Sequence, residues 1–333
     1  AEGNWSEGLT SYVADYLYKE RSSSEEGRAY RLKILRDYAS LVSPDNDFAL
    51  TNFTRRASPS SAVIGYGKAA MVFHMARRLI GDGAFWKGLR SVYEERLFKR
   101  ASWSDFATAF SESSKRDMAP FFEQWINRTG GPRLALEDIT SAKTRFGWQI
   151  NGRITQARPY YDLQLPLRLV TENEGVEAQV RLSGNTLPFS LLSDTRPKRL
   201  LVDPEADLFR HLEASEIPAT TNSIKGSASL VAVASKDLPP RTYEVSTLLL
   251  TALGHEEAQV FQEDRIDSRT LEGEDVLYLG LPRNHQGLGL PEDVSISRDR
   301  FRLEGKSFDD RNDALFLVWT ANRKDGAVAA LFL

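Results

Sequence analysis

The chain has 333 residues, 41% hydrophobic and 27% charged, with a formal net charge of -3. That length allows two or three cores, and the charge balance leaves no footprint for nucleic acid. No run of roughly eighteen apolar residues and no signal-peptide pattern occurs, so no membrane span is expected in this stretch. Cysteine is absent, which excludes disulfides, thiolate metal sites and cysteine nucleophiles and leaves the compartment open.

From Trp5 to Trp125 apolar residues recur at helical spacing, for example Val13 and Leu17, then Ile64, Met71, Met75 and Leu79. This periodicity predicts amphipathic helices packed on one another over residues 1–132. Ser43-Pro44 is expected to stop one helix, Ser102 to cap the helix holding Phe106 and Phe110, and Thr129-Gly130-Gly131-Pro132 to end the last. After Pro132 the period changes to two, as in Tyr161, Leu163, Leu165 and Leu167, with turn signals at Asn151-Gly152, Asn173-Glu174-Gly175 and Ser183-Gly184-Asn185. An antiparallel β-sandwich is expected over residues 133–217. A polar stretch, Pro218 to Ser227, leads into residues 226–333. There the apolar runs Leu230–Val233, Val276–Leu281, Leu315–Trp319 and Val328–Leu333 and a helical pattern from Thr242 to Leu253 predict a small α/β domain. The last run reaches the final residue, and a natural terminus usually has a polar tail, so this strand is expected to be cut short.

Two short segments carry the chemistry. One is Gly3-Asn4-Trp5-Ser6-Glu7-Gly8-Leu9-Thr10-Ser11-Tyr12; the other is Gly65-Tyr66-Gly67-Lys68-Ala69-Ala70. Taken alone, Glu7 is a first-turn glutamate favoured by the helix dipole, and Tyr66 is a half-buried tyrosine at a helix start. In order and spacing, however, the two segments resemble the aminopeptidase N family of zinc metallopeptidases. So do the stretches that follow: Val72-Phe73-His74-Met75, Leu79-Ile80-Gly81-Asp82, Trp103-Ser104-Asp105-Phe106 and Phe121-Phe122-Glu123-Gln124-Trp125. The resemblance covers residues 1 to about 132 and extends plausibly to 212; it does not reach the last third.

By that resemblance, residues 1–132 are the helical part of a thermolysin-like catalytic domain. Glu7 is the carboxylate ligand of a zinc ion, with Gly8 allowing close helix packing beside it. Tyr66 donates its phenolic proton to the oxyanion of the tetrahedral intermediate, a job for a neutral donor held where charge develops. Ala69 departs from the family's glycine. The substrates implied are peptides, cleaved at the amino-terminal bond. A catalytic zinc takes three protein ligands and a water. The H-E-x-x-H helix that would supply the other two, and the general base, roughly eighteen residues before Glu7, does not occur in these 333 residues. Zinc is therefore expected in a longer parent protein, and this chain alone is expected to bind no catalytic zinc and to be inactive.

The four histidines, His74, His211, His255 and His285, are too dispersed for an i, i+4 zinc pair, and His74 on an apolar helix reads as a satisfied structural residue. Asp162, Asp194 and Asp203 show no partner in the sequence and receive no role. The stretch from Gly280 to Pro291 is glycine-rich but broken by prolines, a weak phosphate cradle, and no G-x-S-x-G elbow occurs. The alternative to a peptidase is a non-catalytic, peptidase-like scaffold that binds proteins or peptides. Oligomeric state, compartment and substrate side-chain preference are not encoded legibly.

Overall fold

Helices fill the first part of the chain because its apolar residues recur every three to four positions and its breakers stand where helices must stop. In the computed structural model the described residues are 4–172, 175–213, 216–217, 219–227, 229–236, 238, 240–271, 273–291, 294–297, 300–303, 305–309, 313–320 and 327–333. Gly3, Asn173, Glu174 and Pro218, on which sequence cues fall, lie outside them. The chain divides into two compact units, 1–212 and 213–333, so the helices up to Ile126 and the first two sheets share one unit.

In the first unit α1 (Ser6–Thr10) runs through a π-helical turn (Ser11–Tyr16) into α2 (Leu17–Ser22), and α3 (Ser24–Leu41) follows. Next, α4 (Pro59–Ala62) runs through a second π-helical turn (Val63–Lys68) into α5 (Ala69–Ile80). Then come α6 (Asp82–Arg96), α7 (Trp103–Ser114) and α8 (Ala119–Ile126). The expected breakers act: α3 ends at Leu41, two residues before Ser43-Pro44, and Gly130 takes φ +74° after α8. At the start of α7 the Ser102 backbone N–H donates to Asp105 Oδ2 at 2.7 Å.

Helix α5 is central, with every residue from Ala69 to Ala76 buried. Around Phe73 the rings of Trp103 and Phe106 each lie 5.2 Å away, and the Phe85 ring lies tilted beside Phe110 at 5.0 Å. Burying aromatic side chains of this size is the main source of stability for such a bundle.

His74, on this same helix, is only half satisfied. Its Nε2 lies 2.8 Å from Asp207 Oδ1, whereas Nδ1 is buried without a partner. Asp207 also meets Arg31 at 3.3 Å and Arg78 at 3.2 Å, and burial pushes the His74 pKa down. Two of the three aspartates without visible partners in the sequence, Asp203 and Asp162, acquire them by folding. Asp203 accepts from the Asp207 N–H at 2.8 Å and faces Arg210 Nε at 3.4 Å, and Asp162 pairs with Arg181 at 2.6 Å.

After α8 the strands β1 (Leu134–Thr144), β2 (Gly147–Gln156), β3 (Leu163–Thr171), β4 (Val176–Leu182), β5 (Thr186–Ser193) and β6 (Pro197–Val202) form two three-stranded antiparallel sheets. Their orders are β1-β2-β5 and β4-β3-β6. Alternation decides which face is covered: Leu163, Leu165, Leu167 and Leu169 are buried while Gln164 points out.

The second unit, taken by itself, is α/β. Strands β7 (Leu230–Ala234), β8 (Val260–Gln262), β9 (Asp275–Leu279), β13 (Phe316–Thr320) and β14 (Val328–Phe332) make one sheet of order β13-β14-β9-β7-β8. All its pairings are parallel except β13 with β14. Parallel strands need cover on both faces. One face packs Ala232, Leu277 and Ala330 against Ile224 of α9 (Thr221–Lys225) and Leu250 and Leu253 of α10 (Pro240–Leu253); the other buries Val233, Tyr278 and Trp319. Helix α9 falls inside the stretch read from sequence as a polar spacer. A further antiparallel sheet, β10 (Val294–Ser297), β11 (Arg300–Leu303) and β12 (Lys306–Asp309), has no counterpart in the sequence-based expectation.

Candidate active site

Glu7 stands in the first turn of α1 and Tyr66 within the second π-helical turn. Both are half-buried. A glycine beside each lets the helices that carry them approach. A Cβ on Gly8 would stand 2.2 Å from Ala69 Cβ and 2.8 Å from the Ala69 carbonyl carbon, so the backbones touch there. A Cβ on Gly65 would stand 2.2 Å from the Phe53 ring, which itself meets the Tyr66 ring edge-on at 6.0 Å and 80°. Ala69, the departure from the family pattern, is thus the residue against which Gly8 packs.

The crossing puts the Tyr66 phenol within electrostatic reach of the Glu7 carboxylate. Burial, then the charge of Glu7 and the side-chain hydrogen bond to it, push the Tyr66 pKa up, with Arg56 opposing. The phenol therefore stays protonated, as a donor must. Asn4 anchors the start of the segment: its Nδ2 donates to Leu50 O at 3.0 Å and Thr51 O at 2.9 Å, while its Oδ1 is buried without a partner.

Sequence reasoning missed Lys68 as more than a motif letter. Its side chain is fully buried, and Nζ donates to Arg128 O at 2.8 Å and Gly130 O at 2.9 Å, tying the turn that carries Tyr66 to the glycine turn after α8. Asp47 braces the same turn by accepting from the Gly130 N–H and from Tyr38 Oη. The only signal in the sequence was a lysine among apolar residues, with its acceptors far along the chain.

Burial lowers the Lys68 pKa to about 8 against 10.5 when unfolded, with Asp47 opposing. Between those values the unfolded chain binds more protons, so stability rises with pH there. Above pH 10 the sign reverses, because burial pushes Tyr12 and Tyr161 up to about 12 and the folded state keeps protons the unfolded chain releases. We expect unfolding free energy to climb from about pH 8 to about pH 10, by up to about 1 kcal/mol per pH unit, and the climb to vanish in Lys68→Met. Urea titrations at three pH values check this; an equal slope in the variant would assign the effect elsewhere.

Among the described residues no three of His, Cys, Asp or Glu gather as a metal site. One carboxylate does not hold a catalytic zinc, so the residues present do not fit that ion by themselves. The histidines are engaged elsewhere: His255 Nε2 lies 2.7 Å from Ile224 O and His285 Nδ1 3.3 Å from Pro282 O. Burial, with help from Arg133, lowers the His211 pKa to about 4.

The aminopeptidase N of Lactococcus lactis subsp. lactis is 35% identical over 79 residues, 24% of this chain and 9% of that protein. The glutamyl aminopeptidase of Sus scrofa is 29% identical over 114 residues, 33% of this chain and 12% of that one, and Escherichia coli (strain K12) aminopeptidase N is 23% identical over 210 residues, 59% and 23%. The chain is similar to aminopeptidases of the aminopeptidase N type. It spans less than a quarter of the length of these relatives. Legionella pneumophila aminopeptidase A, crystallised with aspartic acid, aligns with a TM-score of 0.42 at 16% identity over 64% of this chain and 24% of that one. No family profile matches the chain. Among the described residues no helix of this aminopeptidase-like chain is long and apolar enough to cross a membrane.

Proposed function

We propose that this chain is part of an aminopeptidase-like zinc metallopeptidase that hydrolyses amino-terminal peptide bonds, and that it contributes one zinc ligand, Glu7, and one oxyanion donor, Tyr66. What supports the reading most is that two segments far apart in sequence, each resembling a family motif, meet at the Gly8–Ala69 contact, with the charge of Glu7 acting on the Tyr66 phenol. Bound zinc would supply an activated water and polarise the scissile carbonyl. The part this chain's own residues play is narrower. Tyr66, kept neutral, donates a hydrogen bond to the carbonyl oxygen as negative charge develops there. The Gly8–Ala69 crossing, with Lys68 behind, fixes the phenol relative to Glu7. The remaining ligands and the general base would come from outside these residues.

Two arms test the reading. The full-length protein is expected to hydrolyse aminoacyl chromogenic substrates and to lose that activity on chelation. The 333-residue chain alone is expected to do neither this nor to retain zinc after mild chelation. Stoichiometric zinc held by the isolated chain and lost on Glu7→Ala would refute the division of ligands, and a full-length protein inert with zinc supplied would favour a binding scaffold.

A further inference from the structure

Beyond Tyr66, the far end of α5 leads to a feature that the peptidase reading leaves unused. Met75, Arg78 and Leu79 form one wall of a cavity of about 870 Å³, with α8, its flanking loops and the outward face of β3 and β4 forming the others. Pockets of a few hundred to about a thousand cubic ångströms hold ligands larger than one amino acid. The floor is apolar and buried, with Met75, Trp125, Leu163 and Leu208 each under a tenth exposed, and Phe121 beside them.

The polar lining decides the class of ligand. Four guanidiniums, Arg78, Arg116, Arg128 and Arg181, face four carboxylates, Asp117, Glu123, Asp162 and Asp207. The charges balance, so the site offers no net field to a polyanion or a polycation. Two pairs are closed internally, Arg181 with Asp162 at 2.6 Å and Arg78 with Asp207 at 3.2 Å. Among the described residues Arg128 has only neutral partners, the Tyr160 carbonyl at 2.8 Å and the Tyr161 ring at 5.4 Å. Asp117 accepts one backbone N–H, from Ala119 at 3.0 Å. Arg116 and Glu123 make no ion pair among the described residues. Each sign is thus left with side chains able to take an opposite charge from a ligand.

Between them stand Gln164 and Gln179 on adjacent strands, where Gln164 sits opposite Arg181 and Gln179 opposite Pro166. A primary amide offers two donors and an acceptor, the complement of a peptide backbone. An apolar floor, two amides and open side chains of each sign of charge describe a single kind of occupant.

We propose that this cavity is a second binding site, separate from Glu7 and Tyr66, for a short peptide that carries both a cationic and an anionic group. It recognises the anion through Arg116 and Arg128, the cation through Glu123, and apolar side chains through the floor. The inference does not rest on zinc or on catalysis.

The test uses the metal-free 333-residue chain and a fluorescein-labelled pentapeptide, acidic at one end and lysine at the other with leucine and alanine between, followed by anisotropy. Saturable binding is expected, weakened roughly tenfold or more by Arg116→Ala and by Glu123→Gln, with far-UV circular dichroism and thermal midpoint unchanged. Neutralising the peptide's acidic group should weaken binding to the wild type and abolish the further effect of Arg116→Ala, leaving that of Glu123→Gln. No saturation up to about 1 mM peptide, wild-type affinity in both variants, or displacement by inorganic phosphate as readily as by unlabelled peptide would each overturn the proposal. Because no hydrolysis is measured, failure here leaves the peptidase reading standing, and failure of that reading leaves this one.

Discussion

Replacing Tyr66 with phenylalanine in the full-length protein is expected to lower kcat on aminoacyl substrates by about 10² to 10³, the loss seen when one preorganised oxyanion donor is removed. The Michaelis constant should change little, because a donor aimed at developing charge contributes to the transition state and not to ground-state binding. Stability should hold as well: the edge-on contact with Phe53, at 6.0 Å, belongs to the ring and survives the substitution. A further signature separates this role from a packing role. The phenol's pKa lies above its ordinary value of 10.0, so the wild-type rate should fall only in strongly alkaline solution, and the variant should lack that limb. Equal kcat in the two proteins would remove Tyr66 from the chemistry.

The second large effect is expected at Gly8. A β-carbon there would overlap Ala69 Cβ at 2.2 Å, far inside any tolerated approach, and it would also meet Ala69 backbone atoms at 2.8 and 3.0 Å. Side-chain rotation does not relieve a clash with backbone, so α1 must move away from α5. Gly8→Val is expected to destabilise the first unit by about 3 kcal/mol, at the upper end of overpacking costs. Activity of the full-length protein should fall with it, because the same crossing sets the distance between Glu7 and Tyr66. The milder Gly8→Ala permits a cycle with Ala69→Gly. Each single change is destabilising, the second through helix propensity, and together they should cost at least about 1 kcal/mol less than their sum. Additive effects would mean that the two residues do not set the crossing.

The helical bundle was legible because its amphipathic period is local, and Ser43-Pro44 and Thr129-Gly130-Gly131-Pro132 mark its limits. The apolar runs that became β7, β9, β13 and β14 were legible for the same reason: continuous apolar stretches between turn residues need no distant information. Helix α9 and the β10-β11-β12 sheet were not, since their segments are short and mostly polar, and packing rather than propensity decides them. At the site, Glu7, Gly8 and Tyr66 stand out as motif residues. Their supports do not: Lys68 depends on carbonyls of Arg128 and Gly130, and His74 on Asp207, partners that only the folded chain brings near. The cavity lined by Arg116 and Glu123 was equally hidden, as its walls come from segments spread between Met75 and Leu208.

The two π-helical turns, Ser11–Tyr16 just after Glu7 and Val63–Lys68 around Tyr66, bear on how such a site tolerates change. A wide turn holds one residue more than the α-helical count, so it offsets the angular phase of everything before it from everything after by about 100°. The buried face of α5 and the side chain of Tyr66 consequently follow separate angular registers. Core residues beyond Ala69 can drift through volume-conserving substitutions without re-aiming the phenol, whereas a single-residue deletion between Val63 and Lys68 would rotate it away from Glu7 and leave every core contact of α5 in place.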